Sequence, residues 1–175
     1  MKRFWLVFIL GIVVGFFIFP LIGVCYIRFG YAPVATAAPP FPFEQWLATS
    51  ALKARISREA PAKSPVAPTD ENLVAGAKIY QEDCAVCHGV HDRSKTAIAK
   101  GMYPQPPQFF RGDDVADDPV GVTYWKIANG IRLTGMPAFR GSLSDTQLWQ
   151  VAQLLANTDG LPPDAAKLVG IPAAK

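Results

Sequence analysis

The sequence predicts an all-α domain carried behind one membrane-crossing helix. Three observations predict it. A long uncharged run opens the chain, helical periodicity with caps recurs after residue 69 with no convincing strand, and a Cys-x-x-Cys-His motif lies at the end of the first of those helices.

The opening run extends from Phe4 to Ile27 without a charged residue, after Lys2 and Arg3 and before Arg28. As a helix its 24 residues reach about 36 Å, enough for a bilayer core of about 30 Å. Ala35-Thr36-Ala37, followed by Ala38, offers a competing reading as a cleaved signal peptide. The run far exceeds an ordinary h-region of about 7–15 residues, so an uncleaved signal anchor is expected. Lys2 and Arg3 then stay cytoplasmic, residues 4–27 span a bacterial inner membrane once, and the remainder lies on the periplasmic side. Cys25 follows Ile22-Gly23-Val24, a poor lipoprotein site, and reads as an apolar residue of the membrane helix.

Charge is unevenly distributed. Residues 1–69 carry seven Lys/Arg against two Asp/Glu, whereas residues 70–160 carry eight against eleven. The formal +3 of the chain therefore comes from the membrane-proximal part, which suits anionic lipid. The acidic domain excludes a nucleic-acid footprint.

Residues 28–68 form an Ala/Pro-rich connection containing a short predicted helix over 43–60. Its apolar residues fall on two sides, Phe43, Leu47, Ala51 and Ala54 against Ala48, Leu52 and Ile56. It suits a membrane surface, a partner's helix or a plain spacer equally. Pro61, Pro65 and Pro68 predict a stiff linker. The globular domain is expected over 69–160. Thr69 caps its first helix, with Asp70 and Glu71 in the first turn and Leu73, Gly76, Ala77 and Tyr80 on one face. Asp118 as cap and Pro119 as first helical residue signal the second helix, stopped at Asn129-Gly130. Ser144 and Gln147 form a capping box for the third, whose stripe is Leu148, Val151, Ala152 and Leu155. Residues 161–175 read as a surface tail.

Three short helices in about ninety residues make a thin core. The irregular stretch 89–117, with "YPQPPQFF", needs something to pack on, and a large flat apolar cofactor would supply it.

Cys84-Ala85-Val86-Cys87-His88 fits covalent haem attachment. Two thiols reach the two vinyl groups on one porphyrin edge, and the next residue places an imidazole over the iron. A zinc site from Cys84, Cys87, His88 and His91 would have to close within eight residues. A redox dithiol expects a preceding strand. A disulfide is permitted in an exported domain. For the second axial position the candidates are Met136, Met102 and His91. Met136 lies between Gly135, where backbone can approach the ring, and Pro137, and is preferred. Met102 follows His88 by fourteen residues and suits packing at the ring edge. His91 points back to the proximal side.

CAVCH followed by GMP, with a helix before each and another after, resembles a class I cytochrome c, and "ANGIRLTGMPAF" resembles membrane-anchored bacterial monohaem cytochromes. The resemblance covers residues 69–160. It implies a crossing of first and last helices through Gly76, Tyr80 and Trp149. It also implies a proline-loop carbonyl, at Pro106 or Pro107, that accepts the bond from the other nitrogen of His88. Trp125 and Arg132, flanking the methionine loop, are expected near the haem propionates. With His88 and Met136 both on iron no substrate position remains, so one haem c and one-electron transfer are expected rather than catalysis. The expected donors are a membrane dehydrogenase or quinol-oxidising complex. The expected acceptors are an oxidase or another haem protein. The alternatives are a fixed haem subunit of a larger respiratory or dehydrogenase complex, and a haem sensor or peroxidase with a labile sixth ligand.

Overall fold

The computed structural model is all-helical and describes residues 2–91, 94–110 and 118–172. The chain divides into two compact units, the first ending at Gln45 and the second beginning at Trp46.

In the first unit, α1 (Lys2–Arg28) runs 27 residues with no buried side chain. By length and composition it is able to cross a membrane. Tyr31 closes its end by donating from its N–H to the Tyr26 carbonyl at 3.1 Å, and the two rings stack.

The second unit is built on α3 (Asp70–Ile79) crossed by α7 (Asp145–Ala156), with α6 (Val120–Asn129) against α7 and α8 (Pro163–Leu168) against α3. Gly76 lets α3 and α7 touch through their backbones, since a Cβ there would lie 2.3 Å from the Gln150 carbonyl oxygen. The expected aromatic roles are divided. Trp149 stacks on Tyr124 at 3.9 Å, and Tyr80 meets Phe110 edge-on at 5.0 Å. Both caps read from sequence form: Thr69 accepts from the Asn72 N–H, and Ser144 and Gln147 make a reciprocal box.

Several elements depart from expectation. α3 does not continue regularly into the cysteine motif. It widens into a π-turn over Tyr80–Cys84, with the Ala85 N–H reaching back to the Tyr80 carbonyl, and then becomes α4 (Ala85–His88). α6 starts one residue later than predicted, with Pro119 as cap, because the Asp118 carboxylate is engaged by Lys126 at 2.5 Å. A short α5 (Ala97–Gly101), capped by Thr96, occupies a stretch expected to be irregular. Residues 161–172 are not a surface tail. Ala165 and Val169 are fully buried, and the Val169 carbonyl accepts from the His91 N–H at 2.9 Å.

The predicted helix over 43–60 is α2 (Glu44–Glu59), and neither a free spacer nor a partner is needed to explain its end. Ile56 is buried, and Glu59 accepts from the Trp125 indole N–H at 3.1 Å. The proline-rich segment after it lies on the same domain, where the Val66 carbonyl accepts from Gln153 at 2.6 Å.

Candidate haem-binding site

An apolar cavity of about 450 Å³ opens between the cysteine motif, the proline loop and α6. That volume lies within the range of sites that hold an organic cofactor. Cys84, Cys87 and His88 form one wall, and Ile131 and residues 134–137 contribute to another. Both methionines considered from sequence, Met102 and Met136, face it, as do Pro106 and Pro107.

The His88 wall is a web of side-chain bonds. His88 Nδ1 lies 2.9 Å from the Pro107 carbonyl. Of the two prolines it is Pro107 whose carbonyl faces the imidazole, and the other ring nitrogen is left without that contact. Burial pushes the imidazole below its ordinary pKa, and the Pro107 carbonyl offsets part of that. Phe109 stacks on the His88 ring at 4.7 Å. The Tyr80 hydroxyl, buried, donates to the Gly89 carbonyl at 2.8 Å. Thr96 donates to the Val86 carbonyl at 2.7 Å. Gln108 escaped the sequence reading. It is only 3% exposed, and its amide donates to the Cys87 carbonyl at 3.0 Å and the Pro106 carbonyl at 3.1 Å. A polar residue lodged between Pro-Pro and Phe-Phe was the available signal.

Cys84 and Cys87 do not pair in a disulfide. Burial, with Asp83 and Cys87 adding to it, pushes the Cys84 thiol up to about 12. A reactive dithiol needs the opposite shift, because the thiolate is the attacking species. Among the described residues no strand precedes the motif, and no three His, Cys, Asp or Glu side chains are grouped to hold a metal ion. His91 is exposed and lies off the cavity wall.

The methionine wall is set by the end of α6. Gly130 has φ 65°, and a Cβ there would lie 2.7 Å from the Ala138 nitrogen and 2.9 Å from the Met136 carbonyl oxygen. Only glycine allows the loop to fold back so closely. Phe139 N–H then donates to the Ile127 carbonyl at 3.1 Å, and Met136 N–H donates to Thr134 Oγ1 at 3.1 Å. Gly135 also gives room to a side chain that the sequence did not link to it. The space beside it is filled by the Met102 methyl, which a Cβ would meet at 1.8 Å.

Trp125 and Arg132 do not line the cavity. Trp125 is turned to Glu59, and Arg132 is exposed on the loop. Among the described residues the charged groups on the wall are Asp83, Asp118 and Lys126, the last two paired with each other.

Residues 71–155 match the family described as cytochrome c oxidase, cbb3-type, subunit III. The chain is also 32% identical over 133 residues to a thiosulfate dehydrogenase of Stutzerimonas stutzeri, an alignment covering 73% of this chain and 41% of that protein. It thus spans less than half the length of that relative. A chain in the reducing HAO-like protein complex of Kuenenia stuttgartiensis aligns with TM-score 0.48 and 27% identity, over 56% of this chain and 48% of that one.

Proposed function

Residues 71–155 form a cytochrome c domain, and from that premise we propose that the chain is a membrane-tethered electron carrier. Its haem c is joined to Cys84 and Cys87 and ligated by His88 and Met136. A cytochrome c domain implies covalent haem and electron transfer. The ligand set and the tether are the reading added here. The observation that carries it is convergence: two thiols, an imidazole with Nδ1 already engaged, and a methionine meet on one apolar cavity.

When bound, the haem supplies a one-electron iron couple. The chain's own groups do the rest. The cysteine thiols hold the porphyrin edge. The Pro107 carbonyl fixes the tautomer and orientation of His88. The apolar part of the wall, Tyr80, Ile127, Val151 and Leu155, shields that side of the site from water, which disfavours ferric iron. A Met136 thioether favours the ferrous state further. Met102 is less suited to ligation because its methyl is lodged beside Gly135.

The ligand assignment is tested by absorbance of the oxidised protein. Met136→Ala loses the methionine–iron charge-transfer band at the red end of the spectrum, and Met102→Ala keeps it. The reverse result assigns Met102. A five-coordinate high-spin spectrum in the wild type removes the carrier reading in favour of a sensor or peroxidase.

For the tether, α1 supplies the length and Lys2 and Arg3 the orientation, placing the haem domain on the periplasmic side of the inner membrane. Tethering confines the search for donor and acceptor proteins and raises their effective concentration. The mass of the membrane-extracted protein checks this, because a species beginning at Ala38 overturns it. A fixed haem subunit is the second reading. It is favoured by matches to an oxidase subunit family and to a dehydrogenase. A stoichiometric partner retained after mild solubilisation selects it.

A further inference from the structure

We infer that Gln108 is a positioning residue for His88: its buried side-chain amide ties the cysteine turn to the proline loop and thereby fixes the carbonyl that orients the imidazole. Gln108 Nε2 faces three carbonyls, those of Cys87 at 3.0 Å, Pro106 at 3.1 Å and Pro107 at 3.5 Å. This orients the amide unambiguously, since a flipped side chain would set its oxygen against three other oxygens. Two amide hydrogens serve the two nearer carbonyls. The Pro107 carbonyl, at the limit of hydrogen-bonding distance from Gln108, keeps His88 as its main donor at 2.9 Å.

The strut therefore joins residues on both sides of the imidazole. Cys87 precedes His88 in the chain, and Pro106 precedes the carbonyl that His88 contacts. Shifting one against the other changes the length of the His88–Pro107 bond directly. The same side chain also accounts for Gly89. Gly89 has φ 69°, and a Cβ there would lie 2.4 Å from Gln108 Oε1. That oxygen is buried and has no hydrogen-bond partner among the described residues. Such an orphan is tolerated at a cost, and the two donor bonds at the other end of the amide offset it. Phe109, the next residue, stacks on the His88 ring, so Gln108 acts on the imidazole indirectly, through the Pro107 carbonyl, and Phe109 directly, through its face.

The inference rests on His88 being the proximal ligand. Failure of that assignment would appear in the wild-type spectrum, whereas failure of this inference would leave that spectrum intact. The test uses the full-length, haem-loaded protein in detergent and compares Gln108→Met with Gln153→Met, which removes another buried glutamine's bond, to the Val66 carbonyl at 2.6 Å, away from the cavity. Hydrogen exchange of the His88 Nδ1–H is followed by NMR, together with the midpoint potential. Gln108→Met is expected to speed that exchange about tenfold and to raise the potential, because a weaker bond from His88 to the Pro107 carbonyl makes the imidazole a poorer donor to ferric iron. Gln153→Met leaves both near wild type. Equal effects in the two variants, or none in Gln108→Met, overturn the inference. If Gln108→Met does not fold, the wild type decides: protected side-chain amide protons on Gln108 support the strut, and exchange as fast as that of a solvent-exposed amide removes it.

Discussion

The two walls of the cavity are held by different kinds of bond. On the His88 side the ties are side-chain bonds that reach across the sequence. Tyr80 bonds to Gly89, His88 to Pro107 and Gln108 to Cys87, at separations of 9, 19 and 21 residues. On the methionine side the ties are mostly backbone bonds to the nearby end of α6, at Ile127 and Ala128, with Thr134 Oγ1 bridging Ile131 and Met136. The first wall is stitched into the core. The second is a short loop whose tip, Leu133, is 94% exposed with φ 61°. A loop held by its two ends opens at lower cost than a buried web. The asymmetry predicts that the methionine side yields first under any stress, leaving the covalent side in place.

The largest break is expected from Gly130→Ala. Its methyl group would collide with loop backbone at 2.7 Å in a conformation that disfavours side chains. A cost of roughly 3 kcal/mol follows. Most molecules should lose the methionine–iron band while retaining covalently stained haem on a denaturing gel. On the opposite wall, Tyr80→Phe leaves the buried Gly89 carbonyl without its donor, a cost of about 2 kcal/mol. It should appear as a lower denaturation midpoint with the band intact. Thr134→Val removes the bridging hydroxyl of the loop, worth about 1 kcal/mol. It should lower the temperature at which the band disappears more than the temperature at which helical circular dichroism is lost. If both fall together, the two walls form one cooperative unit and the contrast is wrong.

The same contrast explains what could be read from sequence. α7 was legible to the residue because its signals are local: Ser144 and Gln147 are three positions apart, and its stripe repeats every three or four residues. The cysteine turn was legible because Cys84, Cys87 and His88 lie within five residues of one another. The methionine loop was legible in position but not in packing. Gly135 accommodates Met102, a residue 33 positions upstream that no local pattern links to it. Gln108 was hidden for the same reason, since all three carbonyls it reaches lie in a turn and loop brought together only by folding. The π-turn over Tyr80–Cys84 leaves no compositional mark, because widening a helix by one residue changes its phase and not its residues. α8, in a stretch read as a surface tail, is only six residues long, too short to show a helical period. Ala165 and Val169, four apart, were the buried pair. Trp125 was expected near the haem propionates from its proximity to the methionine loop in sequence; its bond to Glu59 of α2 is a contact that no local pattern signals.

That last contact supplies a control lying outside both walls. Burial alone would raise the Glu59 carboxyl, but the Trp125 N–H and then Arg55 outweigh it, so the group is held below its ordinary 4.5. A carboxyl depressed in the fold contributes stability above its unfolded pKa and loses it as pH falls through the folded value. The end of α2 should therefore loosen only in acid, below the ordinary carboxylate range. The Trp125 indole N–H resonance should shift there while the methionine–iron band is still present. Glu59→Gln should remove that acid dependence and leave the band, the haem attachment and the His88 environment unchanged. If the band moves with the Trp125 signal, α2 is coupled through α6 to the methionine loop, and the membrane-proximal helix then has a route to the iron that the two-wall picture lacks.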